Sequence, residues 1–296
     1  MITEIFSQEP YAATDLLSDE EIQTVHNDLM QKFGMHAGFS FILAPKPVNA
    51  SEPTTHILES LLFSAELRDA PNKQMFLRKH AEVSNEQIAR LEQSTIGQAS
   101  NANWLITRKY LLTASNFGKV LKASKSGRYP PSLFKKLLGT YNLDGVRATA
   151  WGQENGPQAK EDFSKALGIA IQECGIFLHK SGLLGASPDG VVDGNKIVEV
   201  KCPYKLRNAD LEAVLVQKNY IVQFVNGMMI VNKEHDYYHQ IQGQLHITNR
   251  ESCFLIIWST KGFVATEIFK DTNWLSNLDT LLNFYTEKLL PQILPS

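Results

Sequence analysis

The chain has 296 residues, 43 % of them apolar and 20 % charged, with 12 Pro and 18 Gly. That is enough apolar surface for a buried core and too ordinary a composition for a disordered or collagen-like chain. No run of about 18 uncharged apolar residues exists to span a bilayer, and the acidic opening MITEIFSQEP lacks the basic and then apolar pattern of a secretory leader. Cys174, Cys202 and Cys253 are odd in number and widely spaced, which excludes a disulfide framework and points to a reducing intracellular compartment, nucleus or cytoplasm.

The net charge of −2 conceals an uneven distribution. Residues 1–100 carry 7 Lys+Arg against 14 Asp+Glu, a net of −7, whereas residues 101–143 carry eight basic residues and no acid. Such an acid-free basic block reads either as an anion-binding surface or as a solvated helix face.

In chain order, residues 1–83 read as a helical N-terminal region of no assignable chemistry. A helix start at Ser18-Asp19-Glu20-Glu21 precedes Ile22, Val25, Leu29 and Phe33, and residues 45–55 read as a linker. A second start signal, Ser84-Asn85-Glu86-Gln87, opens the domain expected over 84–296. Trp104–Leu112 and Phe117–Leu121 predict helices around a turn at Thr113–Ser115, and residues 124–131 predict a basic Gly/Pro loop. Pro157 suits the first position of a helix carrying Ala159, Phe163, Ala166 and Leu167. Short strands follow at Ile176–His179 and Val191-Val192, with Asp193-Gly194 as a hairpin turn into Lys196–Cys202. Helices over Asp210–Gln217 and Asp236–Ile247, strands over Cys253–Trp258 and Phe263–Phe269, and a closing helix Trp274–Leu290 complete a mixed α/β plan of helices flanking a sheet.

The chemistry-bearing stretch is Ser187-Pro188-Asp189-Gly190, a turn, then Glu199-Val200-Lys201. Strand alternation puts Glu199 and Lys201 on one face at the strand surface, and Val198 and Val200 on the other, toward the core. The hairpin brings Asp189 beside Glu199. Two carboxylates, with the Val200 carbonyl as a third ligand, suit a hard divalent cation such as Mg²⁺. Lys201 beside it suits orienting water or stabilising negative charge on a reacting phosphate, as phosphodiester hydrolysis requires. His235 and His239 have helical metal-pair spacing but no third ligand, and read as packing or surface residues.

Pro188-Asp189 with Glu199-x-Lys201 resembles the PD-(D/E)XK nuclease signature. The run SPDGVVDGNKIVEVKCPY resembles the YqaJ-like viral recombinase nucleases, a group that includes the lambda phage exonuclease and is similar to baculovirus alkaline nucleases. Arg108 and Ser115, in RKYLLTAS, resemble the family segment that holds a DNA 5′-phosphate. Tyr237, Gln240, Gln242 and Gln244, in YYHQIQGQL, resemble its glutamine-rich helix, with Tyr237, Gln240 and Gln244 on one helical face.

The resemblance spans about residues 84–290. It implies a PD-(D/E)XK core with a mixed sheet flanked by helices, and a Mg²⁺-dependent 5′–3′ exodeoxyribonuclease acting on double-stranded DNA ends, with Mn²⁺ substituting. Catalytic roles are implied for Asp189, Glu199, Lys201 and Gln240. A homotrimer and a single-strand annealing protein as partner are implied too, with no membrane association.

One departure stands out. Where the family carries a glutamate four residues after Gly152, this chain has Gly156. Glu154 is the substitute acid if the backbone before Pro157 shifts, and Glu161 is a poorer one. Two rival readings follow: a DNA-end-binding module that has lost hydrolysis, and an anion-binding metabolic domain with a coincidental Glu-x-Lys.

Overall fold

In the computed structural model, the described residues are 57–139, 147–210, 220–225 and 228–294. The helix start at Ser18, the linker over 45–55 and most of the helix expected over Asp210–Gln217 lie outside them. The compact unit begins at Thr54, so the boundary expected at residue 84 falls within it. Helices α1 (Ile57–Leu62), α2 (Ala65–Asp69) and α3 (Lys73–His80) precede that point. Their Leu58, Leu62, Leu67 and Leu77 join the same apolar core as Phe117 and Tyr285.

Helix α4 (Asn85–Ser94) starts where the sequence signals it. Ser84 accepts from the Gln87 backbone and Gln87 reaches back to the Ser84 N–H, a complete capping box. Next come α5 (Ala102–Arg108), β1 (Leu112–Thr113), α6 (Phe117–Ser126) and α7 (Pro131–Leu137). The loop expected over 124–131 is shorter, because residues 124–126 finish α6 and Gly127, at φ 64°, caps it.

Helix α8 (Arg147–Leu167) runs through Pro157 rather than starting at it. Pro removes one N–H donor from the ladder, and the Asn155 side chain donates to the Trp151 carbonyl just before it, at 2.9 Å. The closing segment is also less regular than expected. A 3₁₀ turn leads into α10 (Asn277–Phe284), a π turn over Tyr285–Leu289, and α11 (Leu290–Ile293).

Two sheets frame the site. In the first, β3 (Leu184–Ala186) lies between β1, parallel, and β2 (Phe177–Leu178), antiparallel. The second has the order β4 (Gly190–Val192), β5 (Lys196–Lys201), β8 (Ser252–Ser259), β9 (Gly262–Phe269). Strands β4 and β5 form the expected hairpin, with Asp193 at φ 49° and Gly194 at φ 68°. The loop is three residues long, Asp193 to Asn195, and its left-handed residues turn the chain tightly between the paired ends Val192 and Lys196. Strand β5 pairs in parallel with β8 and so lies inside the sheet. The crossover between them includes the ribbon β6 (Val222–Val225) and β7 (Met228–Val231), then α9 (Asp236–Thr248). Against β5, α8 buries Phe163 with Val192, Val198 and Ile256, while α9 buries Ile241 and Leu245 in the larger core. Among the described residues no helix is long and apolar enough to cross a membrane.

Candidate active site

Asp189 sits between β3 and β4. Its N–H donates to the Val198 carbonyl at 2.8 Å, and its Oδ2 accepts from the Val200 N–H at 2.6 Å. The β4–β5 register pairs Gly190 with Val198, so one step further places Asp189 opposite Glu199. The hairpin thus brings the two acids together across adjoining backbones.

Glu199 is not on a strand surface, as its alternation alone suggested. It is 3 % exposed, because α9 covers that face of β5. Glu199 Oε1 accepts from Lys201 Nζ at 2.5 Å and from Gln240 Nε2 at 2.6 Å, and Oε2 accepts from Gln244 Nε2 at 2.7 Å. Lys201 also donates to Gln240 Oε1 at 3.1 Å and lies 4.4 Å from the centre of the Tyr237 ring. Tyr237, Gln240 and Gln244 therefore share the site face of α9. Gln242 turns away, holding the Phe269 carbonyl and the Asp271 N–H.

The electrostatics follow from this packing. Burial, and then the negative charge of Glu199, push the Asp189 carboxyl up to about 7, against the opposing pull of the Val200 N–H, Lys201 and Lys160. Burial depresses Lys201, but Glu199, Tyr237 and Asp189 together outweigh it and hold the ammonium above its ordinary value. Lys201 is thus held in its charged form against Glu199.

A cleft of about 560 Å³ opens over Asp189, Val200, Lys201 and Tyr237. Burial pushes the thiols in its wall up as well, Cys174 to about 12 and Cys202 to about 11. Both stay protonated and are poor nucleophiles or metal ligands. Among the described residues no three His, Cys, Asp or Glu side chains cluster as a metal cage. What is present is one pair of carboxylates, Asp189 in the cleft lining with Val200, and Glu199 buried behind it and bonded to Lys201, Gln240 and Gln244. This donor set fits a single hard cation.

Glu154 is not brought to the site. Because α8 continues through Pro157, its cleft face is Thr149, Gly152, Gln153, Gly156 and Lys160, and Glu154 lies about 200° around the helix from Gly156. Glu161 pairs with Lys165 at 2.5 Å. The histidines pack as expected. His235 Nδ1 caps α9 by accepting from the Tyr237 N–H, and His239 Nδ1 accepts from Trp274 Nε1.

Arg108 and Ser115 line a second, larger cleft of about 1470 Å³, together with Lys119, Lys122, Arg128 and Lys136. Six of the eight basic residues of the acid-free block thus line one concave surface, with Asp236 as its one acid. The two clefts adjoin, since the Arg108 guanidinium stacks 4.1 Å over Trp104, which lines the first. Burial holds Arg108 below its ordinary value, and burial with neighbouring Lys136 does the same to Lys119.

Sequence reasoning missed two residues of the first cleft, Lys160 and Gln98, and the bond that ties its Trp104 to Ser187. Lys160 Nζ donates to the Asp189 carbonyl at 3.2 Å. Gln98, left-handed at φ 46°, donates to the carbonyls of Cys174 at 3.1 Å and Pro188 at 2.6 Å. Ser187 Oγ accepts from Trp104 Nε1 at 2.9 Å. The one sequence signal was the spacing Gly152, Gly156, Lys160, which puts all three on one helical face.

An α/β domain with a Pro-Asp turn, a Glu-x-Lys strand and a glutamine helix over a cleft defines a recognisable class. Residues 103–251 match the YqaJ-like viral recombinase domain, and the chain belongs to that family. It is 27 % identical over 210 residues to the alkaline nuclease of Orgyia pseudotsugata multicapsid polyhedrosis virus, covering 65 % of this chain and 48 % of that one. To the alkaline nuclease of Autographa californica nuclear polyhedrosis virus it is 27 % identical over 225 residues, covering 67 % and 51 %. The chain thus spans about half the length of these curated relatives. The alkaline exonuclease LHK-Exo of Laribacter hongkongensis superposes with a TM-score of 0.49 at 24 % identity, over 64 % of this chain and 93 % of that one.

Proposed function

We propose that the chain is an intracellular Mg²⁺-dependent deoxyribonuclease that engages double-stranded DNA ends and degrades one strand 5′ to 3′. The observation that carries this reading is Asp189 bonded to β5 through the Val198 carbonyl and the Val200 N–H, beside a Lys201 that is bonded to Glu199, with Asp189 and Lys201 both lining an open cleft. The names of the two viral relatives, both alkaline nucleases, agree with it.

Asp189, Glu199 and the Val200 carbonyl would hold the cation, which when bound supplies a nucleophilic water and Lewis-acid charge. The residues of the chain do the rest. Lys201 lends positive charge to the reacting phosphate, and Gln240 and Gln244 fix Glu199 without adding charge of their own. Water oxygen bonds to phosphorus as the P–O3′ bond breaks, with one proton leaving the water and one arriving on O3′. The shortened strand again ends in a 5′-phosphate, the group assigned to Arg108 and Ser115 in the adjoining basic cleft. By family resemblance the reading extends to Mn²⁺ as a substitute, a trimeric assembly and a single-strand annealing partner.

The test is nucleotide release from linear 5′-phosphorylated duplex with Mg²⁺ or Mn²⁺. Release abolished by chelator, by Asp189→Ala and by Lys201→Ala supports the enzyme. Salt-sensitive binding without release supports the second reading, an end-binding module without hydrolysis. That alternative is favoured by the absence of any carboxylate on the cleft face of α8, and gain of release in Gly156→Glu would identify the cause.

A further inference from the structure

The cleft-facing side of α8 carries a single charge. Thr149, Gly152, Gln153, Gly156 and Pro157 line the cleft as neutral groups, and Lys160 alone adds a positive one. The acids of this helix are engaged elsewhere or lie off that face. Asp162 accepts from Trp258 Nε1 at 2.7 Å, Glu161 pairs with Lys165, and Glu154 is exposed and outside the cleft lining. Lys160 Nζ is 3.2 Å from the Asp189 main-chain oxygen, and its charge is felt at the Asp189 carboxyl. Above Gly156, one turn before Lys160, a Cβ would meet nothing within 4 Å. Glu173 also borders the cleft, yet it forms no three-acid group with Asp189 and Glu199.

We infer that Lys160 is a built-in cation occupying the station a second divalent ion would need, so that the chain works with one metal and the Lys160 ammonium neutralises the reacting phosphate. This rests on the nuclease reading above. Its physical basis is charge balance. A phosphodiester gains negative charge as water adds, and two carboxylates can anchor one divalent ion but not two. An ammonium fixed by the Asp189 carbonyl supplies the missing positive charge and repels a further cation. Lys160 makes and breaks no covalent bond; it contributes charge and position.

The experiment is a Mn²⁺ titration of the full chain, read by the electron paramagnetic resonance of free ion and by calorimetry, alongside cleavage kinetics. The wild type should bind a single ion. Lys160→Met should bind that ion roughly tenfold more tightly, because a neighbouring positive charge is gone, while kcat falls about 100-fold with little change in KM. Lys160→Arg, which keeps the charge, should restore most of kcat. A residue that merely held the Asp189 turn in place would loosen Mn²⁺ on removal, not tighten it. In Gly156→Glu/Lys160→Met a second ion should bind.

Two ions on the wild type, or a Lys160→Met chain with unchanged Mn²⁺ affinity and rate, would overturn the inference while leaving a nuclease. A wild type that binds Mn²⁺ but cuts no DNA would overturn the nuclease reading, and with it the share of Lys160 in the chemistry.

Discussion

Asp189 is bonded to β5 beside Glu199, and the charge of Glu199, after burial, is what lifts its carboxyl from an ordinary 3.8 to about 7. A raised acid pKa means that the fold prefers the protonated form. Without metal, the stability associated with Asp189 is therefore complete below its unfolded pKa and is lost as pH rises toward 7. A divalent ion held by Asp189, as proposed, would reverse the preference by taking the place of that proton.

The first prediction is a pH-dependent metal effect. Mg²⁺ should raise the melting temperature more at pH 8 than at pH 6, where a proton competes for the site. In metal-free buffer, Asp189→Asn should be more stable than wild type at pH 8, with the advantage shrinking toward pH 4. Thermal melts of both proteins with and without Mg²⁺ check this. An equal Mg²⁺ shift at both pH values would count against the site.

Lys201 and Glu199 should behave as one buried pair. Lys201→Met leaves Glu199 with two amide donors and no cation, at an expected cost of about 3–5 kcal/mol. Glu199→Gln/Lys201→Met should recover much of that stability while both variants stay inactive. Urea unfolding of the double-mutant cycle measures the coupling.

Helix α9 is seated by a close approach at Gly243. A Cβ there would lie 2.3 Å from Phe117 Cδ2, on a ring with no exposure. Gly243→Ala should therefore cost about 1–3 kcal/mol by overpacking. It should also move Gln240 and Gln244 off Glu199, lowering cleavage about 100-fold at temperatures where the variant stays folded. Circular dichroism with parallel rate measurements separates the two effects.

Arg108→Ala should weaken the preference for 5′-phosphorylated over 5′-hydroxyl ends, since its fork of donors suits a terminal phosphate. Rates on the two substrates check this. Equal loss on both would remove Arg108 from end recognition and leave it a general cation of the basic cleft.

Local chemistry made much of this site legible in the sequence. Ser84 and Gln87 announce a helix start, Asp193-Gly194 a hairpin, and the alternation of β5 separates Glu199 and Lys201 from Val198 and Val200. The spacing of Tyr237, Gln240 and Gln244 likewise gives a shared face on α9. What stayed hidden depends on tertiary packing. The burial of Glu199 comes from α9 lying over β5, and the passage of α8 through Pro157 turns Gly156 and Lys160, not Glu154, toward the cleft. The left-handed Gln98 has no local signature, because long-range bonds to the carbonyls of Cys174 and Pro188 hold it there.

The most direct measurement is a crystal structure soaked in Mn²⁺, with diffraction recorded where manganese scatters anomalously. The account predicts a single anomalous peak ligated by Asp189, Glu199 and the Val200 carbonyl. Absence of a peak there at saturating Mn²⁺, or a peak bound only by other residues, would contradict it.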